Sequence, residues 1–181
     1  MGITAIDFAI LQFIQAHALS PFLNVVMPAV SAVAFPALAA LAVVLVIRPA
    51  TRREGLALLV ALALVFVVCT LTLKPLVGRV RPCVVDTTVP LLVSVPHGYS
   101  FPSGHTSAVF AAFGALFFAN RNGRLVVPTL VFAIIVAFSR LYLYVHFPTD
   151  VLAGVCIGLA LGWLAAKIVD ALAKRHHLLP S

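Results

Sequence analysis

Five long runs of apolar residues dominate this chain and restrict the folds that it can adopt. A helix needs about 20 predominantly apolar residues to cross the hydrocarbon core of a bilayer. Composition agrees, since 63% of the 181 residues are hydrophobic and 9% are charged, which excludes a soluble enzyme, a coiled coil and a disordered chain. We therefore predict an all-α, polytopic membrane helix bundle with five transmembrane helices, at residues 22–47, 56–76, 104–119, 125–142 and 149–172.

The N-terminal segment 3–19 is shorter and mixes apolar with polar residues. Ile10 and Phe13 belong to its apolar side, while Asp7 is one of several interspersed polar residues. This pattern predicts an amphipathic helix that lies at the membrane interface, and a sixth short span is the alternative. The chain has no room for a separate soluble domain, so we expect residues 1–181 to form a single membrane-embedded domain.

Basic residues fall mainly on one side of the predicted spans. A net charge of +7 would suggest a nucleic-acid partner for a soluble protein, but here the charge divides between two membrane faces, and no nucleic-acid partner is expected. The positive-inside rule places the more basic side in the cytoplasm. Connections 77–103 and 142–149 then face the periplasm or cell exterior, and the small size suggests a prokaryotic inner membrane. The cytoplasmic cations are Arg48, Arg52, Arg53, Arg121, Arg124, Lys167, Lys174 and Arg175.

The remaining four cations stand at span ends on the opposite, outer side. A single Lys or Arg at such a place is ordinarily an anchor that reaches to the interface. Together with two histidines and one nearby carboxylate, however, the set predicts a site for a strongly anionic group, for which phosphate is the obvious candidate. These residues are Lys74, Arg79, Arg81 and Arg140, with His105, His146 and Asp150.

A turn at Ser103 and Gly104 opens the third span on the same side. Backbone N–H groups at a helix start attract anions, and the missing side chain of Gly104 lets an anion approach the backbone closely. His105 follows in the first helical turn, next to that position. This placement makes His105 the candidate general acid, which would protonate the leaving oxygen as the bond to phosphorus breaks.

His146 and Asp150 lie four residues apart where the fifth span opens. Pro148 suits the first helical turn, and the spacing lets the Asp150 carboxylate accept a hydrogen bond from one imidazole nitrogen. Such a bond would fix the tautomer and leave the other nitrogen able to attack phosphorus. His146 is therefore the candidate nucleophile, with Asp150 as its orienting partner.

The spacing of these residues resembles the three-part signature of the type-2 phosphatidic acid phosphatase superfamily. The resemblance implies an integral-membrane phosphatase that works without a metal, through a phosphohistidine intermediate. Its phosphoryl oxygens would be held by Lys74, Arg81, Ser103, Gly104 and Arg140. All three parts of the signature match without a substitution, as Lys74 with Arg81-Pro82, then Pro102-Ser103-Gly104-His105, then Ser139-Arg140 with His146 and Asp150.

We expect no metal and no other cofactor. Mg²⁺ and Ca²⁺ sites need several oxygen ligands, and the carboxylates on the outer side are few: Asp86 and Asp150, with Asp7 if the N-terminal helix lies there. Zinc is not expected, because His105 and His146 have no nearby thiolates or further histidines. Fixed cations would stabilise the phosphoryl charge instead.

The expected substrate is a lipid phosphate or diphosphate in the membrane. Undecaprenyl diphosphate is the leading candidate, since an outward-facing site suits a carrier lipid released on that face. Arg79 is a possible contact for its second phosphate, or else a headgroup anchor. Phosphatidylglycerophosphate and phosphatidate are the alternatives, and phosphate transfer to an acceptor other than water stays open. A lipid-phosphate transporter fits less well, because such sites lie near the bilayer midplane, often between repeats.

Three glycines, Gly154, Gly158 and Gly162, recur at intervals of four in the fifth span and permit close contact with another helix. We expect this contact to form within the chain, with a homodimer seam as the alternative. The chain has three cysteines, of which two lie inside apolar runs, and we expect no intrachain disulfide.

Overall fold

The computed structural model describes residues 2–119 and 123–176. Within these residues every regular element is helical, as the apolar runs predicted. Arg121, counted above among the cytoplasmic cations, lies outside the described residues. The helices are α1 (Ile3–His17), α2 (Pro21–Ile47), α3 (Arg52–Val65), α4 (Lys74–Val77), α5 (Pro82–Val85), α6 (Gly104–Phe118), α7 (Val126–Tyr142) and α8 (Pro148–His176). A 3₁₀ turn at Pro49–Thr51 precedes α3, and a π-helical stretch at Phe66–Leu73 joins α3 to α4.

Three helical stretches are long and apolar enough to cross a membrane. They are Pro21–Ile47, Pro49–Val85 and Pro148–Arg175, with mean hydropathies of 2.7, 2.9 and 2.0. Helices α6 and α7 are apolar but have only 15 and 17 residues. At 1.5 Å per residue they are about 22–26 Å long, shorter than the roughly 30 Å hydrocarbon core. The membrane character of the bundle is therefore clear, and the number of five spans stays a prediction.

Helix α6 lies at the centre of the bundle and packs closely against α8. A Cβ atom added at Gly158 would lie 2.6 Å from the Ser107 carbonyl oxygen, and one at Gly162 would lie 2.5 Å from that of Ala111. Gly154 likewise faces the first turn of α6. The glycine face thus makes a contact within the chain, as the sequence analysis favoured. It is not available as a dimer seam, because α6 already occupies it.

Helix α1 packs against α7 and α8 near the start of α8. It is amphipathic in an unusual sense, because its buried side holds Asp7 together with Leu11, while Ile6 and Phe13 are 51% and 64% exposed. The Gln15 amide donates to the carbonyl oxygen of Tyr142 at 3.0 Å. A polar residue on the buried side and apolar residues on the exposed side fit a helix that borders lipid.

Tyr144 anchors the turn between α7 and α8. This residue has a φ of 59°, in the left-handed region, and its side chain is 1% exposed. Its hydroxyl donates to Asp86 Oδ2 at 2.9 Å, which ties the turn to the loop that precedes α6. Burial, followed by the Asp86 carboxylate, raises the pKa of Tyr144 above its ordinary value, so the hydroxyl remains a donor.

Candidate active site

Residues from α4, α6, α8 and the intervening loops converge at one end of the bundle. The Ser103 backbone N–H donates to the Asp150 carbonyl oxygen at 3.1 Å and thereby joins the starts of α6 and α8. The Lys74 ammonium and one Arg81 N–H both donate to the Tyr99 carbonyl oxygen, at 2.8 and 3.2 Å. A Cβ atom at Gly104, next to Ser103, would lie 4.0 Å from Lys74 Cε, so the structure brings Lys74, Arg81, Ser103 and Asp150 to one place, as the sequence predicted.

His146 lies in the turn between α7 and α8 and is 2% exposed. Its Nε2 atom is 3.1 Å from Arg81 Nη1, and its Nδ1 atom is 3.7 Å from Asp150 Oδ2. A guanidinium has only N–H donors, so Nε2 accepts, and the proton of the neutral ring is assigned to Nδ1. Burial lowers the pKa of His146 to about 3, which keeps the imidazole neutral. The unshared electron pair of the neutral ring is therefore on Nε2, the nitrogen that faces Arg81.

Asp150 is fully buried and holds its carboxylate beside the His146 ring. The distance of 3.7 Å between Oδ2 and Nδ1 is too long for a direct hydrogen bond. The Ser100 hydroxyl fills this gap, because it donates to Asp150 Oδ2 and lies 3.5 Å from His146 Nδ1. The Phe147 backbone N–H donates to the same carboxylate oxygen at 2.9 Å. Ser100 is thus a site residue that the sequence analysis missed.

Arg81 is 5% exposed and ties the loop before α6 to the turn before α8. Its Nε donates to the Gly98 carbonyl oxygen and its Nη1 to that of Val145, each at 3.0 Å. Nη1 also lies beside His146 Nε2. Arg81 was predicted as a phosphate ligand. Its contacts show that it also connects two loops of the site.

Helix α2 contributes to the site, which the sequence analysis did not anticipate. Arg140 Nη1 donates to the Ser31 hydroxyl, and the ring of His105 lies 4.6 Å from the ring of Phe35, between centroids. Ser31 and Phe35 are one turn apart on α2. The Nε atom of Arg140 is buried without a hydrogen-bond partner among the described residues. A buried N–H of a cation is costly unless something accepts from it, so Arg140 is suited to an anion.

Ser103 caps the start of α6. Its hydroxyl oxygen accepts from the Thr106 backbone N–H at 3.5 Å and from the Thr106 hydroxyl at 3.0 Å. A Cβ atom at Gly104 would lie 4.0 Å from the Lys74 Cε atom, so this glycine stands directly beside the ammonium-bearing chain. The helix start and a cation therefore face the same space, which is the arrangement expected for binding an anion.

Arg79 is paired with carboxylates of the protein itself, whereas a phosphate of the substrate or a lipid headgroup was expected as its partner. Its Nη1 donates to Asp150 Oδ1 at 2.6 Å and to the Thr149 hydroxyl at 2.7 Å, and its Nη2 donates to Asp7 Oδ2 at 2.6 Å. The guanidinium also lies 4.1 Å above the centre of the Phe147 ring. Its charge is already compensated by two carboxylates, so these contacts argue against its expected role as a second-phosphate contact or a headgroup anchor.

The chain is similar to a known protein family and to several curated proteins. A family model described as the PAP2 superfamily matches residues 54–174. The chain is 33% identical over 123 residues to the lipid A 4'-phosphatase of Bacteroides thetaiotaomicron. The aligned region covers 64% of this chain and 55% of that protein. The chain is 29% identical over 124 residues to an undecaprenyl-diphosphatase of Sulfolobus acidocaldarius, with 68% and 59% covered. The chain thus spans a little over half the length of these curated relatives.

A solved structure is similar over nearly the whole chain. It is the crystal structure of a transmembrane PAP2-type phosphatidylglycerolphosphate phosphatase from Bacillus subtilis, with a TM-score of 0.75 and 26% sequence identity. The likeness covers 96% of this chain and 89% of that one. The similarity therefore includes the bundle and the end of it where the site lies.

Proposed function

The chain belongs to the PAP2 superfamily, and on this basis we propose that it is an integral-membrane lipid phosphatase, acting as one membrane-embedded domain. The observation that carries the proposal is the environment of His146. Its neutral imidazole directs Nε2 toward Arg81 at 3.1 Å and Nδ1 toward Ser100 and Asp150. A buried, uncharged nitrogen nucleophile among fixed cations suits attack on a phosphorus atom.

The reaction proceeds in two displacements. In the first, His146 Nε2 attacks phosphorus, the bond from phosphorus to the leaving oxygen breaks, and protonated His105 gives that oxygen a proton. In the second, water attacks the phosphohistidine, the phosphorus–nitrogen bond breaks, and its electron pair returns to Nε2 while His105 takes a proton from the water. Lys74, Arg81 and Arg140, with Ser103 and the Gly104 backbone, stabilise the charge on the phosphoryl oxygens throughout.

Undecaprenyl diphosphate, hydrolysed to undecaprenyl phosphate, is the leading substrate. The similarity to a relative named undecaprenyl-diphosphatase supports it, whereas the argument from Arg79 as a second-phosphate contact no longer does. Phosphatidylglycerophosphate is the alternative supported by the similar solved structure, and phosphatidate shares its monoester chemistry. Among the described residues, no specific contact favours a transporter that binds lipid phosphate without hydrolysis.

A panel of substrates tests the proposal. The purified protein in detergent is incubated with undecaprenyl diphosphate, phosphatidylglycerophosphate and phosphatidate, and released phosphate is measured for each. We expect release from all three, with the highest kcat/KM for the prenyl diphosphate. Release only from the glycerol lipids would overturn the preferred substrate, and binding of all three without release would overturn the phosphatase.

Chelation is expected to leave the activity unchanged. Asp7 and Asp150 are both paired with Arg79, so neither offers a free carboxylate to a divalent cation. Vanadate should inhibit, because it adopts the trigonal-bipyramidal geometry of the phosphoryl transition state and would be held by the same cations. Phosphate release is measured with EDTA, with added Mg²⁺ and with vanadate. Loss of activity in EDTA that Mg²⁺ restores would contradict the metal-free mechanism.

The site is proposed to face the periplasm or cell exterior of the inner membrane. Cys83 lies on the side to be tested but is 5% exposed, so introduced cysteines serve better. With the three native cysteines replaced by alanine, Ser94→Cys should be labelled in intact cells by a membrane-impermeant maleimide. Ala50→Cys should react only after the membrane is opened, and both positions are exposed. The reverse labelling pattern would place the site in the cytoplasm.

A further inference from the structure

Asp7 is a buried carboxylate to which the two-step mechanism gives no role. It lies on α1 and is 1% exposed. Its Oδ2 accepts from Arg79 Nη2 and from the Thr149 hydroxyl, each at 2.6 Å, and its Oδ1 accepts from the Thr149 backbone N–H at 3.0 Å. Both partners also border Asp150, since Thr149 precedes it in the chain and Arg79 donates to it. Asp7 therefore lies directly behind the carboxylate that orients the nucleophile.

Arg79 is one guanidinium shared by two buried carboxylates. Its two terminal nitrogens are divided between them, with Nη1 on Asp150 Oδ1 and Nη2 on Asp7 Oδ2, both at 2.6 Å. A buried carboxylate is costly unless a cation or several hydrogen bonds compensate it. The two acids therefore compete for the single charge of Arg79, and the strength of each pair depends on the other.

The two oxygens of the Asp150 carboxylate have different partners. Oδ1 faces Arg79, whereas Oδ2 accepts from Ser100 and from the Phe147 backbone N–H and faces His146. If Arg79 bound Oδ1 more strongly, it would rotate the Asp150 carboxylate and move Oδ2 away from Ser100 and His146. Because attack needs a ring held in a narrow range of positions, such a turn slows chemistry more than it weakens substrate binding.

We propose that Asp7 is a positioning residue for catalysis, because by sharing Arg79 it keeps the Asp150 carboxylate directed toward Ser100 and His146. The inference rests on the proposed phosphatase function. Helix α1 thus contributes to catalysis through Asp7, although none of the proposed phosphate-binding groups lies on this helix. Arg79 acts as the link between the two acids rather than as a contact for substrate.

The test replaces Asp7 with asparagine, which keeps the size of the side chain and removes its charge. Asp7→Asn is expected to lower kcat roughly 10- to 100-fold with KM changed less than about threefold. The matched control is Asp170→Asn, which breaks another Asp–Arg pair between two helices, that of Asp170 with Arg53. The control should keep the wild-type kcat, and the melting temperatures of both variants are measured alongside.

A second pair of variants separates positioning from general destabilisation. Arg79→Gln leaves Asp7 and Asp150 buried without their cation and should lose more activity than Asp7→Asn. Adding Asp7→Asn to Arg79→Gln removes one of the two uncompensated charges, so the double variant should be more active than Arg79→Gln alone. Multiplicative losses in the double variant would contradict the proposal, because independent sites add in free energy.

A measurement without substrate distinguishes this inference from the phosphatase proposal. In protein labelled with ¹⁵N at histidine, the Nδ1 resonance of His146 should shift in Asp7→Asn and stay unchanged in Asp170→Asn. If the shift occurs while wild-type protein hydrolyses no lipid phosphate, the phosphatase proposal fails, whereas the part of the inference that stands is that Asp7 positions the His146 ring. If Asp7→Asn keeps both the resonance and the wild-type kcat, the positioning role is overturned whatever the substrate.

Discussion

Replacing His146 with alanine is expected to lower phosphate release by about a thousandfold or more while the protein stays folded. The reason is that Arg81, the hydrogen-bond partner of Nε2, has no electron pair with which to replace the attacking nitrogen. Phosphate release from the best lipid of the panel is measured with purified protein. Circular dichroism and thermal unfolding show whether the helical bundle is retained.

Two companion variants sharpen this result. Asp150→Asn should cost less than His146→Ala, because it disturbs the orientation of the ring and leaves the attacking atom in place. His17→Ala removes an exposed histidine at the end of α1 and should keep full activity. If His146→Ala retains more than a few per cent of the wild-type rate, another residue is the nucleophile.

Replacing Arg140 with glutamine is expected to lower kcat/KM roughly 100- to 1,000-fold. The side chain is 4% exposed, and its buried Nε has no partner among the described residues, so its charge is held ready for an anion. Arg140→Lys should recover part of the loss, since it restores the charge but not the planar arrangement of N–H groups. Steady-state phosphate release over a range of lipid concentrations measures both variants.

The control for Arg140 is its partner on α2. Ser31→Ala removes the hydroxyl that accepts from Arg140 Nη1 and leaves the guanidinium in place. Its effect on kcat/KM should be about tenfold, the lower end of the contribution of one hydrogen bond to a charged group, because the other N–H groups of the guanidinium remain in place. If Ser31→Ala and Arg140→Gln lose activity equally, Arg140 acts by holding α2 in place and not by stabilising the phosphoryl group.

Much of the fold and of the site was predictable because a membrane imposes strong rules on sequence. Apolar runs must become helices, since no other open structure satisfies backbone polar groups in lipid. Because each span crosses to the other side, every second connection is expected on the same side, where motifs far apart in sequence can meet. The spacing of His146 and Asp150, and of the three glycines on α8, carried the information for local contacts.

The sequence did not reveal contacts between distant segments, because no regular spacing of residues indicates such contacts. Asp7 and Arg79 are 72 residues apart, and nothing near either residue indicates the other. Ser100 is one serine in an irregular loop, and its role depends on where the loop carries it. Ser31 and Phe35 belong to an apolar span in which neither stands out. The burial of Cys83 follows from packing that local sequence does not encode.

The close packing of α6 against α8 has a consequence for movement in this protein. His105 is the second residue of α6, and His146 lies two residues before α8 begins at Pro148. The glycine face and the bond from Ser103 to Asp150 join the two helix starts beside these histidines into one closely packed body. A side chain larger than hydrogen at Gly158 would force that body apart. Any movement that admits the proposed substrate would then come from elements outside it, namely α2 with its half-exposed Phe35 and the loop that begins at Asp86. His105 and His146 would keep their mutual geometry during such a movement.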